Sequence, residues 1–262
     1  MRFDVASQAD ALTALRVFKD EYDHLPRTAG GAPPRAFHLN NGMFGSIDAE
    51  LLYAMVRLHK PARIIEIGAG WTTALIAQAS ARNEKAAEIK TIDPNPPGNA
   101  YDRPNVTIFP RHLQEVGDVF GDLEAGDMVI VDGSHKYVTD GEIDLVLRAL
   151  PGLSGVYVMF HDIFLPEGYP EQWFGRGYNE QEHLEEYLDA HPEDEIVIGA
   201  NFLHKEAPDQ LAAAIKSYDP DRPIGPGALW FMTSLKGGDE AAKTVTPAKP
   251  AAKPRTRKRK TS

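Results

Sequence analysis

The chain has no cysteine and no long apolar run, and both absences exclude classes of protein. Without cysteine among its 262 residues, it can form no disulfide, thiolate metal site or cysteine nucleophile. The longest uncharged run, residues 67–81, has 15 residues and is too short to cross a membrane as a helix. Charged residues such as Arg2, Asp4 and Asp10 interrupt the start of the sequence, which is not typical of a secretory leader. We therefore expect a soluble cytoplasmic protein.

Negative charge dominates the body of the chain, whereas its end is basic. The net charge is −10, but residues 236–262 hold nine Lys and Arg against Asp239 and Glu240, so the remainder carries −17. An acidic body is unlike a surface that binds nucleic acid. The basic end contains three prolines and almost no large apolar residue, and this composition predicts disorder. We expect it to contact nucleic acid or another anionic partner only weakly.

Short apolar segments alternate with amphipathic segments along the middle of the chain. This alternation predicts an α/β fold with a doubly wound, mostly parallel sheet that is buried on both faces. It divides the chain into an N-terminal helix and loop (1–35), one large domain (36–235) and the basic tail (236–262). Strands are predicted at 64–67, 89–93, 106–109, 128–132, 155–161, 195–200 and 228–232, and the helices between them at 72–81, 113–120, 139–149, 179–190 and 210–217.

A glycine loop follows the first predicted strand, in the sequence E-I-G-A-G at 66–70. Glycines at this point let the backbone turn sharply and approach a ligand closely. The second predicted strand ends in Asp93, and an acid there is placed to accept hydrogen bonds from a ribose diol. The two features together predict a nucleotide-like cofactor at the carboxyl edge of the sheet.

The residues around the loop favour one class of cofactor. A dinucleotide site would have Gly or Ala three residues after Gly70, where this chain has Thr73, and an acid beside the loop suits a cationic group better than a polyphosphate. The pattern resembles the first two motifs of class I S-adenosylmethionine (SAM) methyltransferases. That resemblance implies the Rossmann-like methyltransferase fold of seven strands, with an antiparallel last strand. It also implies that SAM is held by Glu66, Gly68, Ala69, Gly70, Asp93 and Asp132.

Two acid–histidine pairs end the fourth and fifth predicted strands. The fourth strand ends in D-G-S-H (132–135), and the fifth ends in His161 and Asp162. Strands one and four are expected to be neighbours at the topological switch point, where doubly wound sheets bind ligands. We therefore expect Asp132, His135, His161 and Asp162 to converge beside the glycine loop.

This pair of motifs resembles a bacterial group of SAM-dependent methyltransferases, and also the catechol and caffeoyl-CoA O-methyltransferase families. The resemblance implies a divalent cation held by Asp132, His161 and Asp162. Because His161 supplies an imidazole where those families have a carboxylate, Zn, Mn, Fe or Ni suits the position better than Mg. Two alternatives remain open: a metal-free site in which His135 or His161 is a general base, and histidines that only satisfy loop backbone groups.

The sequence thus predicts a SAM-dependent methyltransferase that acts on a small molecule at oxygen, with His135, His161 and Asp162 as catalytic residues. The aromatic segment 169–178 is predicted to overhang the acceptor side. The alternatives are methylation of protein or RNA recruited by the tail, and a non-catalytic binding protein of the same fold. These patterns identify neither the acceptor nor the oligomeric state. A homo-oligomer is one of the states that they allow.

Overall fold

A computed structural model describes residues 2–30 and 35–236 of the chain. Its strands form a single seven-stranded sheet in the order β3-β2-β1-β4-β5-β7-β6. The strands are β1 (Arg63–Ile67), β2 (Glu88–Ile92), β3 (Val106–Phe109), β4 (Met128–Val131), β5 (Tyr157–Phe160), β6 (Glu195–Gly199) and β7 (Leu229–Met232). The helices are α1 (Val5–Leu15), α2 (Lys19–Tyr22), α3 (Asp48–His59), α4 (Trp71–Ser80), α5 (Glu142–Ala149), α6 (Glu180–Ala190), α7 (Ala200–Glu206) and α8 (Pro208–Ala214).

The sheet is parallel except for its last strand. The strands β3, β2, β1, β4 and β5 pair in parallel, and β7 pairs antiparallel with both β5 and β6. The prediction of a doubly wound, Rossmann-like seven-stranded sheet with an antiparallel last strand is confirmed. Since β1 lies between β2 and β4, the chain reverses its direction of winding at β1 and β4, and this leaves a crevice at their carboxyl ends.

Each face of the sheet is covered by its own apolar core. Along β4, Met128 and Ile130 belong to one cluster of buried side chains, whereas Val129 and Val131 belong to the other. Successive residues of a strand point to opposite faces, so a strand buried on both faces is apolar at every position. The central strands therefore support the residues at their carboxyl ends from both sides.

The N-terminal helices share the larger core. Leu12, Leu15 and Tyr22 are buried within it. The amide of Gly199, at the end of β6, donates to the side chain of Gln8 over 2.8 Å. Residues 1–35 fall outside the resemblance to the methyltransferase families, yet their helices contribute to the same core as the sheet. The division of the chain at residue 35 stays a prediction.

Some local predictions differ from the structure. The helix predicted at 113–120 is only a short 3₁₀ turn, Leu113–Glu115, because Gly117 has a φ of +81° that no helix accommodates. The 139–149 helix begins later, at Glu142. The disorder prediction for the tail concerns residues outside the described part of the chain, apart from Lys236. No helix within 2–30 and 35–236 is long and apolar enough to span a membrane.

Candidate functional site

A cavity of about 480 Å³ opens at the carboxyl ends of β1, β2 and β4. Its walls are formed by the glycine loop, by residues that follow β2 and β4, and by Met43 and Phe44 from the segment before α3. The volume lies within the range of roughly 300–1,000 Å³ that is usual for small-molecule sites. The crevice predicted from the strand order is therefore a real cavity.

The glycine loop packs tightly on its protein side and leaves space on the cavity side. Gly68 has a φ of +91°, and a Cβ atom there would lie 1.9 Å from the carbonyl oxygen of Asp132. Gly70 lines the cavity, and a Cβ atom there would meet only the Cγ of Pro97, at 3.9 Å. Gly68 thus allows the loop to cross the end of β4, and Gly70 keeps the wall open to a ligand.

Asp93 joins the end of β2 to the glycine loop. Its Oδ2 accepts from the amide of Ala69 at 2.8 Å, and its Oδ1 accepts from the amide of Asn95 at 2.6 Å. A carboxylate has about four acceptor positions, so these two bonds leave others available. Because Asp93 also lines the cavity, it fits the predicted contact with a ribose diol. The cavity, the open loop and this acid are compatible with SAM.

Glu66 lies in the interior and is not among the described residues that line the cavity. Its Oε2 accepts from the hydroxyls of Thr73 at 2.8 Å and Thr91 at 2.6 Å. The Thr73 oxygen in turn accepts from the amide of Gly70 at 2.9 Å. Burial raises the pKa of Glu66 to about 7. The predicted direct contact of Glu66 with SAM stays a prediction; in the structure the carboxylate supports the loop through Thr73.

His161 lies among three carboxylates. Its Nδ1 is 3.0 Å from Asp132 Oδ1 and 3.4 Å from Asp162 Oδ1, and its Nε2 is 3.4 Å from Asp48 Oδ2. Burial by itself would lower the pKa of His161, but the charges of Asp132 and Asp162 hold that pKa well above its ordinary value. The ring is therefore expected to remain protonated and to balance the buried acids.

Asp48 is a site residue that the sequence patterns did not single out. It begins α3, and its two oxygens accept from the amides of Ala228 at 2.9 Å and Gly227 at 3.0 Å. These bonds tie the start of α3 to the turn before β7. An acid in the first turn of a helix is common, so no local signal distinguishes Asp48 from an ordinary helix start.

His135 forms the second half of the cluster and lines the cavity. Its Nδ1 lies 2.5 Å from Glu180 Oε1, and its Nε2 lies 3.5 Å from Asp162 Oδ2 and 3.8 Å from Asp132 Oδ1. Burial would lower the pKa of His135, but the carboxylates of Glu180, Asp132 and Asp162 together outweigh it and raise the pKa. The structure thus brings the four predicted residues together and adds Asp48 and Glu180 to them.

Two residues of this cluster have a strained backbone. His135 and Asp162 have φ values of +57° and +59°, in the left-handed region. That conformation costs an ordinary residue about 1–2 kcal/mol. The backbone of Asp162 also packs against Gly227, where an added Cβ would lie 2.9 Å from its Cα. Strain of this kind clusters at functional sites, and here it sets the direction of both side chains.

The cluster does not fit the predicted cation. Within residues 2–30 and 35–236, no group of three or more His, Asp and Glu side chains could hold a metal ion. The Nδ1 atom of His161 contacts both predicted partner carboxylates directly, and its Nε2 faces Asp48. Both ring nitrogens of His161 thus face carboxylates at short range.

Aromatic rings cover both histidines. The ring of Phe44 lies 4.7 Å from that of His161, and the ring of Tyr178 lies 4.7 Å from that of His135. Tyr178 belongs to the aromatic segment predicted to overhang the site, together with the buried Trp173, over which the guanidinium of Arg176 lies at 4.0 Å. This segment closes the side of the cluster on which α6 begins.

Comparison with known proteins gives one sequence match and several remote structural likenesses. Residues 65–163 match the model of a family described as a methyltransferase domain. This segment runs from within β1 to just beyond β5, so it contains every strand end that borders the cavity. It therefore carries the sequence pattern of a methyltransferase domain. No curated protein matches the chain.

Among solved structures, the chain is similar to the S-adenosylhomocysteine (SAH)-bound methyltransferase PaMTH1 of Podospora anserina. The identity is 18%, with 87% of this chain and 88% of that chain covered and a TM-score of 0.47. It is also similar to the O-methyltransferase TomG of Streptomyces achromogenes in complex with SAM. There the identity is 16%, with 90% and 92% covered and a TM-score of 0.44. Both likenesses are too remote to carry functional information.

Proposed function

We propose that this protein is a SAM-dependent methyltransferase that methylates a small-molecule acceptor at oxygen. The observation that carries the proposal is the bond between Asp93 and the glycine loop at the wall of a cavity of suitable size. The match of residues 65–163 to a methyltransferase domain supports it, because that match includes the loop and the acid.

In this proposal the cofactor is held by the loop and by the end of β2. Asp93 accepts hydrogen bonds from the ribose hydroxyls, while Gly68, Ala69 and Gly70 lie along the methionine part. Glu66 fixes the loop from the interior of the protein, because Thr73 bonds both to its carboxylate and to the amide of Gly70. When bound, SAM would supply an electrophilic methyl group: the acceptor oxygen would bond to the methyl carbon in line as the carbon–sulfur bond breaks, and SAH would be the leaving group. The main task of the protein is then to align the acceptor and to exclude water.

The two histidines have different proposed roles. His135 lines the cavity and contacts one carboxylate closely through Nδ1, so in its neutral form Nε2 can take a proton from the acceptor hydroxyl. His161 contacts acids through both ring nitrogens, so it holds its proton and keeps Asp132 and Asp162 in place. Asp162 contacts both rings and thereby links the base to the protonated histidine.

Metal assistance stays a prediction of the sequence, and none of the roles proposed for the cavity residues depends on it. The sequence also leaves open the methylation of protein or RNA, and a non-catalytic binding role. In the described part of the chain, no contact favours either of these alternatives over a small-molecule acceptor. The acidic cavity wall, with Asp93, Asp132 and Glu142, is poorly suited to the phosphates of RNA.

The decisive experiment is calorimetry with SAM and SAH on the wild type and on Asp93→Ala. A charge-assisted hydrogen bond contributes about 1.5–3 kcal/mol, so we expect the variant to bind both ligands about 10- to 150-fold more weakly. Asp93→Asn separates the loss of charge from the loss of the loop contact, and the exposed Asp122→Ala serves as a surface control. Equal affinity of the wild type and Asp93→Ala, or binding of NAD in place of SAM, would refute the proposal.

A further inference from the structure

Glu180 is a buried acid with one close side-chain contact in the site. It is 1% exposed and begins α6. Its Oε1 lies 2.5 Å from His135 Nδ1, while its Oε2 is buried and has no hydrogen-bond partner among the described residues. Burying an acid with half of its acceptors unused is costly, so the contact of Glu180 with the His135 ring must serve a purpose that offsets this cost.

The residue before Glu180 holds the backbone of the same turn. The amide of Asn179 donates to the carbonyl oxygen of His135 over 3.2 Å. Its side-chain oxygen accepts from the amide of Tyr137 at 2.8 Å, and its side-chain nitrogen donates to the carbonyl of Tyr137 over 3.2 Å. Asn179 and the first residue of α6, Glu180, thus fix both the turn that carries His135, whose φ is +57°, and the ring itself.

A neutral imidazole carries a single proton, and its neighbours decide which nitrogen holds it. A carboxylate beside Nδ1 favours the proton on that atom and leaves the lone pair on Nε2. Without it, a proton on Nε2 could donate toward Asp162 Oδ2, which is 3.5 Å away. In that form the ring could not accept a proton through Nε2.

We infer that Glu180 is a positioning residue that selects the Nδ1-protonated form of His135 and turns its Nε2 toward Asp132, Asp162 and the acceptor. The inference rests on the proposed function for its consequence, since a base is useful only if an acceptor is deprotonated. The ring geometry itself does not depend on that function. A purely stabilising ion pair is the competing explanation, but buried pairs are often near neutral for stability.

The test is the protonation state of each His135 nitrogen, measured by ¹⁵N NMR of the histidine side chains at an alkaline pH where the ring is neutral. Comparison with His135→Gln assigns the signals. In the wild type we expect a protonated Nδ1 and a bare Nε2. In Glu180→Ala the Nε2 resonance should shift into the range of a protonated nitrogen. Glu180→Gln can still accept through its amide oxygen and should keep part of the wild-type form.

The control is Glu182→Gln, which makes the same chemical change at an exposed position in the first turn of the same helix. It should leave the His135 signals unchanged. A protonated Nε2 in the wild type, or a bare Nε2 in both Glu180 variants, would overturn the inference. If Glu180→Ala does not fold, a protonated Nε2 in the wild type, or a fully bare Nε2 in Glu180→Gln, overturns the inference. Because no methyl transfer is measured, failure here and failure to bind SAM are separate results.

Discussion

The buried carboxylate of Glu66 makes stability depend on pH in a predictable direction. Burial raises its pKa from an ordinary value of 4.5 to about 7 in the folded protein. The folded state therefore binds more protons than the unfolded state between these two values, and the free energy of unfolding falls as the pH rises through this interval. The stabilising contribution of protonated Glu66 is complete below 4.5 and is lost above about 7.

The size of the effect follows from the width of that interval. Each pH unit corresponds to about 1.4 kcal/mol, so the ligand-free protein should lose about 3 kcal/mol through this one group between about pH 5 and pH 8. Glu66→Gln has no such titration, and its amide oxygen can still accept from Thr73 and Thr91. Between about pH 5 and pH 8, we therefore expect the free energy of unfolding of Glu66→Gln to rise by about 3 kcal/mol relative to that of the wild type.

Urea unfolding of both proteins at the two pH values measures the shift directly. Comparing differences cancels the titration of the other buried groups, provided that the variant retains the fold. The exposed Glu84→Gln is the matched control and should follow the wild type at both pH values. If the wild type and Glu66→Gln lose stability in parallel from pH 5 to pH 8, the carboxylate does not titrate in this interval and the reasoning is wrong.

Two further predictions concern the loop and the metal. Gly68→Ala should lower the melting temperature much more than Gly42→Ala. Both glycines have a positive φ, but only a Cβ at position 68 would collide with the protein, at 1.9 Å from the Asp132 carbonyl oxygen. Similar losses in the two variants would contradict this explanation. Dialysis against a chelator should leave the SAM affinity unchanged, because the contacts of Asp93 need no cation. Metal analysis and SAM calorimetry before and after dialysis measure this. Joint loss of metal and SAM affinity would instead support the metal site predicted from the sequence.

The sequence predicted the sheet and the convergence of the strand ends because both depend on local patterns. A buried strand is recognisable by its apolar run, and neighbouring parallel strands must bring Asp132, His135, His161 and Asp162 to one edge. The same patterns could not find Glu180, because it lies 45 residues from His135 and begins a helix like many other acids. Nor could they show that two threonine hydroxyls hold the Glu66 carboxylate in the interior, and its predicted contact with the ligand stays a prediction.

Among the residues that the structure describes, five separate segments form the walls of the cavity, at 43–44, 68–71, 93–99, 132–135 and 142. A molecule bound there requires all five to be in place, so it binds the native state and not the unfolded chain. Such a ligand raises the free energy of unfolding by about 2.7 kcal/mol when its concentration is 100 times its dissociation constant. A rise in the melting temperature of this protein therefore indicates that a ligand has bound. Compounds that raise it further in the presence of saturating SAH are candidates for the acceptor, and they can be found before any reaction is observed.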